Sequence, residues 1–114
     1  MNIIVTRPGQ KPESVKVGEG GATLTLETLQ DLVGGYIEII HPDNFPSYVQ
    51  LVCNEEGKIR RLPANRYVTV HGWPDIVCGT FVLCASGIVD GEPDLIPFTD
   101  EQTKTVLRLC GCEA

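Results

Sequence analysis

The sequence predicts an α+β fold: a mostly antiparallel sheet of about five to six strands, with two short helices packed on one face. Three observations carry that expectation. Short β-branched apolar runs recur between Gly, Pro and Asn turn signals, and two segments change to the 3.6-residue period of an amphipathic helix. The length of 114 residues supports one core, so residues 1–114 read as a single domain.

The elements follow in order. NIIVTR (Asn2 to Arg7) is a β-branched run ended by the turn pair Pro8-Gly9, and Ser14 to Val17 alternates as SVKV, which predicts an N-terminal hairpin. GEGG (Gly18 to Gly21) lacks the lysine of a phosphate-binding loop and reads as a flexible connector. Thr25 can cap a helix whose apolar face is Leu26, Leu29, Leu32 and Val33, and Gly34-Gly35 can end it. YIEII (Tyr36 to Ile40) is a strand closed by His41-Pro42, and DNFPS is a loop. SYVQLVC (Ser47 to Cys53) is a further strand; the turn Asn54 to Gly57 is expected to lead it into KIRRL as a second hairpin. LPANR (Leu62 to Arg66) interrupts regular structure, and a short strand in YVTVHGWPD is closed by Gly72 and Pro74. The longest apolar stretch, Ile76 to Ala85, is the expected central strand. Gly79 inside it marks either a bulge or tight packing, or a place where a ligand approaches the backbone. TDEQ (Thr99 to Gln102) is a capping box, and Thr103, Val106, Leu107 and Cys110 repeat at helical spacing before Gly111. No repeat or low-complexity tract appears.

Composition bounds the function. No apolar run approaches the roughly twenty residues of a membrane helix, and MNIIVTRPGQ lacks the long apolar stretch of a signal peptide, so a soluble cytoplasmic protein without membrane contact is expected. The five cysteines are an odd number, which favours reduced thiols. Cys53, Cys78 and Cys84 lie in strand-like segments and read as core, while the C-x-C of Cys110 and Cys112 lacks a metal-site partner; no metal and no cofactor are expected. Fifteen acids against nine bases give a formal charge of -6, which argues against binding long nucleic acid.

The acidity is uneven. Lys58, Arg60, Arg61 and Arg66 are four of the nine basic residues and fall in one short segment. They either bind an anion, with Arg forks suited to phosphate or carboxylate, or solvate an outer strand face with Glu55 and Glu56 as partners. Tyr36, Tyr48, Tyr67 and Trp73 could stack on a base. Asn65 reads as a turn former bonding its own backbone, or as a ligand reader beside Arg66; Asn54 reads as a turn residue. Covalent catalysis would have to use Cys78 with His71, the one conceivable thiol–imidazole pair, and the carboxylate pairs Glu55-Glu56 and Asp100-Glu101 fit a turn and a helix start. The sequence therefore leans away from an enzyme.

The ordered set LQDLVGGYIEII, LVCNEEGKIRRLPANR, DIVCGTFVLCA and FTDEQ resembles a family of short bacterial, phage and mobile-element proteins classed as a domain of unknown function. The matching positions are Val33 to Glu38, Asn54 to Lys58, Leu62 to Arg66, Gly79-Thr80 and Thr99 to Gln102. Cysteine richness and the terminal CGCEA depart from the family pattern. The resemblance implies an accessory protein of a virus or plasmid, acting in a bacterial cytoplasm.

The expected function is non-enzymatic: binding of a small anionic ligand, a nucleotide signal sequestered to counter host defence being the specific form, through Lys58, Arg60, Arg61, Asn65, Arg66 and Gly79. The alternative is an acidic protein-interaction module that inhibits a host enzyme. A homodimer paired through strand edges is expected in solution.

Overall fold

The computed structural model describes residues 1–17 and 24–111. The strands and helices are β1 (Asn2–Thr6), β2 (Glu13–Lys16), α1 (Leu26–Val33), β3 (Ile37–Ile40), β4 (Val49–Asn54), β5 (Ala64–Val70), β6 (Trp73–Cys78), β7 (Phe81–Val89), β8 (Glu92–Ile96) and α2 (Asp100–Leu109). A six-stranded sheet runs β2-β1-β7-β4-β3 with β8 also on β7, and β5-β6 form a separate two-stranded sheet. All pairings are antiparallel, so the expected α+β class holds. No described helix is long and apolar enough to cross a membrane.

β7 organises the main sheet. One side of it pairs with β4, from Val82↔Val52 to Ala85↔Val49; the other pairs first with β1, at Phe81↔Thr6 to Leu83↔Ile4, then with β8 from Ala85↔Ile96 onward. Both of its faces are buried over Phe81 to Ala85, which is why FVLCA reads as unbroken apolar sequence.

Alternation along the strands divides the core in two. Ile3, Val5, Val52, Val82 and Cys84 meet Leu29 and Val33 of α1. Ile4, Leu51, Phe81, Leu83 and Ala85 meet Val106 of α2, Phe98 and Val77 of the β5-β6 hairpin. The helices therefore lie on opposite faces, correcting the expectation of one shared face. Helical period alone shows that each helix needs a sheet face; only the strand registers decide which one.

The N-terminal hairpin forms as expected, with Asn2↔Lys16 to Val5↔Glu13 paired and Gly9 at φ +73 in its turn. Thr25 caps α1 through Thr28 N, and Gly34 closes it at φ +79. Thr99 and Gln102 form the reciprocal capping box of α2, and Gly111 follows its end at φ +80. The connector assigned to GEGG lies outside the described residues.

Three expectations of local structure are overturned. KIRRL is no strand: residues 55–61 are a compact turn in which Arg60 N bonds Glu56 O, Arg61 N bonds Lys58 O and Leu62 N bonds Gly57 O. Its Ile59 is 81% exposed, so the segment has no apolar face to bury as a strand. The actual second hairpin is β5-β6, closed at His71-Gly72 with φ +52 and +80, the conformation of a two-residue primed turn. LPANR thus runs into a strand at Ala64 rather than breaking it, with a register shift between Ala64 and Arg66 that makes Asn65 the bulged residue. Finally, Ile76 to Ala85 is two strands in two sheets, divided at Gly79, whose φ of +86 turns the chain from β6 into β7.

Candidate functional site

The residues singled out by sequence fall into two groups, a seam between the sheets and an outer rim of charge. At the seam, Asn54 is buried; its Nδ2 donates to Val33 O at 3.1 Å, and its Oδ1 accepts from Glu56 N at 2.8 Å. It is the turn former expected, and it also satisfies a carbonyl at the end of α1. A Cβ on Gly35 would stand 2.9 Å from that amide, and one on Gly57 would stand 2.6 Å from Cys78 O. Asn65 does not bond its own backbone: Nδ2 donates to Thr6 O at 2.9 Å and Gly79 O at 2.8 Å, tying the end of β1 to the chain break. Gly79 N donates to Pro63 O at 2.7 Å, and a Cβ on Gly79 would meet Leu62 Cδ1 at 2.8 Å. The space beside Gly79 is filled by Leu62, which is the packing reading of that glycine.

The rim disperses the basic cluster. Lys58 forms an ion pair with Asp75 on β6, which raises the Lys58 pKa and lowers that of Asp75 through their hydrogen bond. Arg60 pairs with Glu56 at 3.3 Å. Arg61, at φ +55 in the turn, makes no ion pair among the described residues. Arg66, on β5, is half-buried and donates from Nη1 to Cys110 O at 3.2 Å. Lys58, Arg60 and Arg66 address different places. Lys58 lines a cleft of about 340 Å³ with Glu38, Glu55, Asp75 and Cys78. Arg60 lines a shallow depression of about 220 Å³ with Gln30 and Tyr36. Arg66 lines a cleft of about 230 Å³ with Asn44, Phe45, Tyr67 and Leu109, and no carboxylate is among its lining residues. Proximity in sequence brings the four cations into one segment, but the turn and the strand beyond it send Lys58, Arg60 and Arg66 to three different clefts.

Cys53 and Cys84 are core thiols, as expected. Burial and then the neighbouring Glu38 push Cys53 up to about 11, and burial pushes Cys84 up to about 12. The conceivable catalytic pair does not form: His71 sits at the tip of the β5-β6 hairpin and Cys78 ends β6, on the order of 20 Å away along the strand. No group of metal-ligating side chains occurs among the described residues, and Cys112 of the C-x-C lies outside them.

Sequence reasoning missed Asp43 and Asp75. The Asp43 carboxylate accepts His71 N at 3.0 Å and Gly72 N at 2.7 Å, holding the tip of the hairpin to the loop before β4. Its position after Pro42 marks it as a loop residue, and nothing in the local sequence points to a turn twenty-eight residues away. Asp75 lies in β6, a strand whose pairing was unrecognised, so its approach to Lys58 was equally hidden.

The family model of a domain of unknown function (DUF3846) matches residues 1–111, and the chain belongs to that family. No curated protein and no solved structure matches it. Within this chain the motif positions Gly35, Asn54, Gly57, Leu62, Asn65 and Gly79 form the seam, which accounts for them by architecture.

Proposed function

We propose that this member of the DUF3846 family is a non-enzymatic binding protein that holds one small anionic ligand at the cleft beside Arg66. One observation carries the reading: of the cationic side chains brought forward by sequence, Arg66 is the one that both lines a cleft without a lining carboxylate and forms no ion pair among the described residues. Lys58 and Arg60 are already paired with Asp75 and Glu56. The bond to Cys110 O engages one Nη and leaves the rest of the guanidinium fork for an oxyanion. A cleft of about 230 Å³ is below the usual size for a whole drug-like molecule, so it suits one phosphate or carboxylate with a small body, the remainder of a nucleotide resting against Tyr67. Sequestration of a defence signal in a bacterial cytoplasm would need such affinity and no chemistry. The six expected contact residues thus narrow to Arg66, with Asn65 and Gly79 supporting the strand that carries it.

Calorimetry against cyclic and linear nucleotides tests this. Binding should weaken about tenfold or more in Arg66→Ala, the range for a lost charge-assisted bond. Absence of binding by every nucleotide, or equal binding by the variant, overturns the reading.

The second reading, a protein-interaction module, is favoured by the outer edge of β3, which pairs with nothing among the described residues.

A further inference from the structure

The outer edge of β3 lies between two clefts of opposite character. Glu55 N bonds Tyr36 O, and the register from Ile37↔Asn54 to Ile40↔Leu51 continues from that pair. Antiparallel ladders alternate, so the peptide groups of Glu38 and Ile40 face β4, and those of Ile37 and Ile39 face outward. On the α1 side of this edge, Ile37 and Ile39 line an apolar groove of about 410 Å³ with Leu26 and Leu95. Ile39 is 47% exposed and Leu26 is 56% exposed. On the opposite side, Glu38 lines the cleft that also holds Glu55, Asp75 and Lys58, three carboxylates against one ammonium. The opposite edge of the sheet, β2, carries Glu13 and Lys16.

We propose that the β3 edge accepts an extended peptide segment as an added antiparallel strand, with a basic side chain opposite Glu38 and apolar side chains on either side of it. This deepens the protein-interaction reading and is independent of the Arg66 cleft. Charge complementarity selects the partner. The basic side chain enters the acid-rich cleft, the flanking side chains cover Ile37 and Ile39, and the outward peptide groups gain partners. A second copy of this chain fits the edge poorly. A two-fold pairing that uses both outward residues sets Ile37 against Ile39 of the other copy, and Glu38 then stands directly opposite Glu38.

The test uses two capped peptides with Val-Lys-Val and Val-Glu-Val at their centres, titrated into the full chain and followed by amide NMR. The lysine peptide should shift and protect the amides of Ile37 and Ile39, and bind roughly three- to tenfold more tightly than the glutamate peptide. Glu38→Lys, an exposed substitution, should reverse that preference, and Ile39→Pro should abolish binding of both. Equal binding of the two peptides, an unchanged preference in Glu38→Lys, shifts mapping elsewhere, or no binding at millimolar peptide each overturns the proposal. So does scattering that shows a dimer abolished by Ile39→Pro, because the edge would then be occupied by the second copy. Nucleotide binding at Arg66 is read separately and fails or succeeds without affecting this result.

Discussion

The two faces of the main sheet are covered by different means. The face over Leu29 and Val33 is closed by one eight-residue helix, about 12 Å long, whose side-chain packing is apolar and whose one polar tie to the sheet described above is Asn54 to Val33 O. The opposite face is closed by α2 and by the β5-β6 hairpin, and the hairpin adds to the packing of Val68 and Val77 a set of polar ties: Asn65 to Thr6 and Gly79, Asp43 to the turn at His71-Gly72, Lys58 to Asp75, and Arg66 to Cys110. An apolar cover has no preferred direction and leaves open whatever it does not reach, here the groove beside Ile39. Polar ties fix a cover in one position, and they shape the clefts at its margins.

Substitutions should separate the two covers. The largest effect is expected at the seam: Gly57→Ala places a Cβ against the Cys78 carbonyl at 2.6 Å, and should lower stability by about 3 kcal/mol in denaturant titration. Leu29→Ala removes a fully buried side chain from the helical cover and should cost about 2–4 kcal/mol. It leaves the hairpin amides protected against hydrogen exchange, and similar loss of protection in both covers would show that they are not separate units. Asn65→Ala leaves two carbonyls without their donor and should cost about 2 kcal/mol, with exchange accelerated first in β5 and β6.

Cys84 belongs to the α1-face core and Cys53 to the other, and both thiols are raised by burial, to about 12 and about 11 from 9.0. Above pH 9 the unfolded chain loses these protons before the folded one, so stability should fall as pH rises from about 9 toward 12, and Cys53→Ser should relieve only the Cys53 share of that slope. The smallest effect belongs to Lys58→Ala. Its ion pair is more than half exposed on the lysine side, and should be worth at most about 0.5 kcal/mol. The pair is complete at neutral pH; its stabilisation is lost as pH falls through the lowered pKa of Asp75 or rises through the raised pKa of Lys58.

Sequence legibility followed locality. The caps at Thr25 and Thr99, the glycine stops and the first hairpin depend on residues a few positions apart, and all were readable. Asn65 bonds Thr6 across 59 residues, and Asp43 meets His71 across 28; composition around either position shows only a turn former. The unbroken apolar run from Ile76 to Ala85 hid a change of sheet, because both halves need the same side chains and only the φ of Gly79 separates them. The basic cluster misled for a related reason. A strand would have set Lys58 and Arg60 on one face, whereas the turn required by Gly57 sends them to different clefts.

The position of β7 has a consequence for how the chain is made. β1 and β4 do not pair with each other; both wait for a strand that begins at Phe81. As the polypeptide leaves the ribosome, its first eighty residues can supply, besides β5-β6, the separate hairpins β1-β2 and β3-β4, each with an open flank where the central strand belongs. Until that strand emerges, the nascent chain exposes two templates for wrong pairing, and its folding rate is governed by one late, long-range insertion.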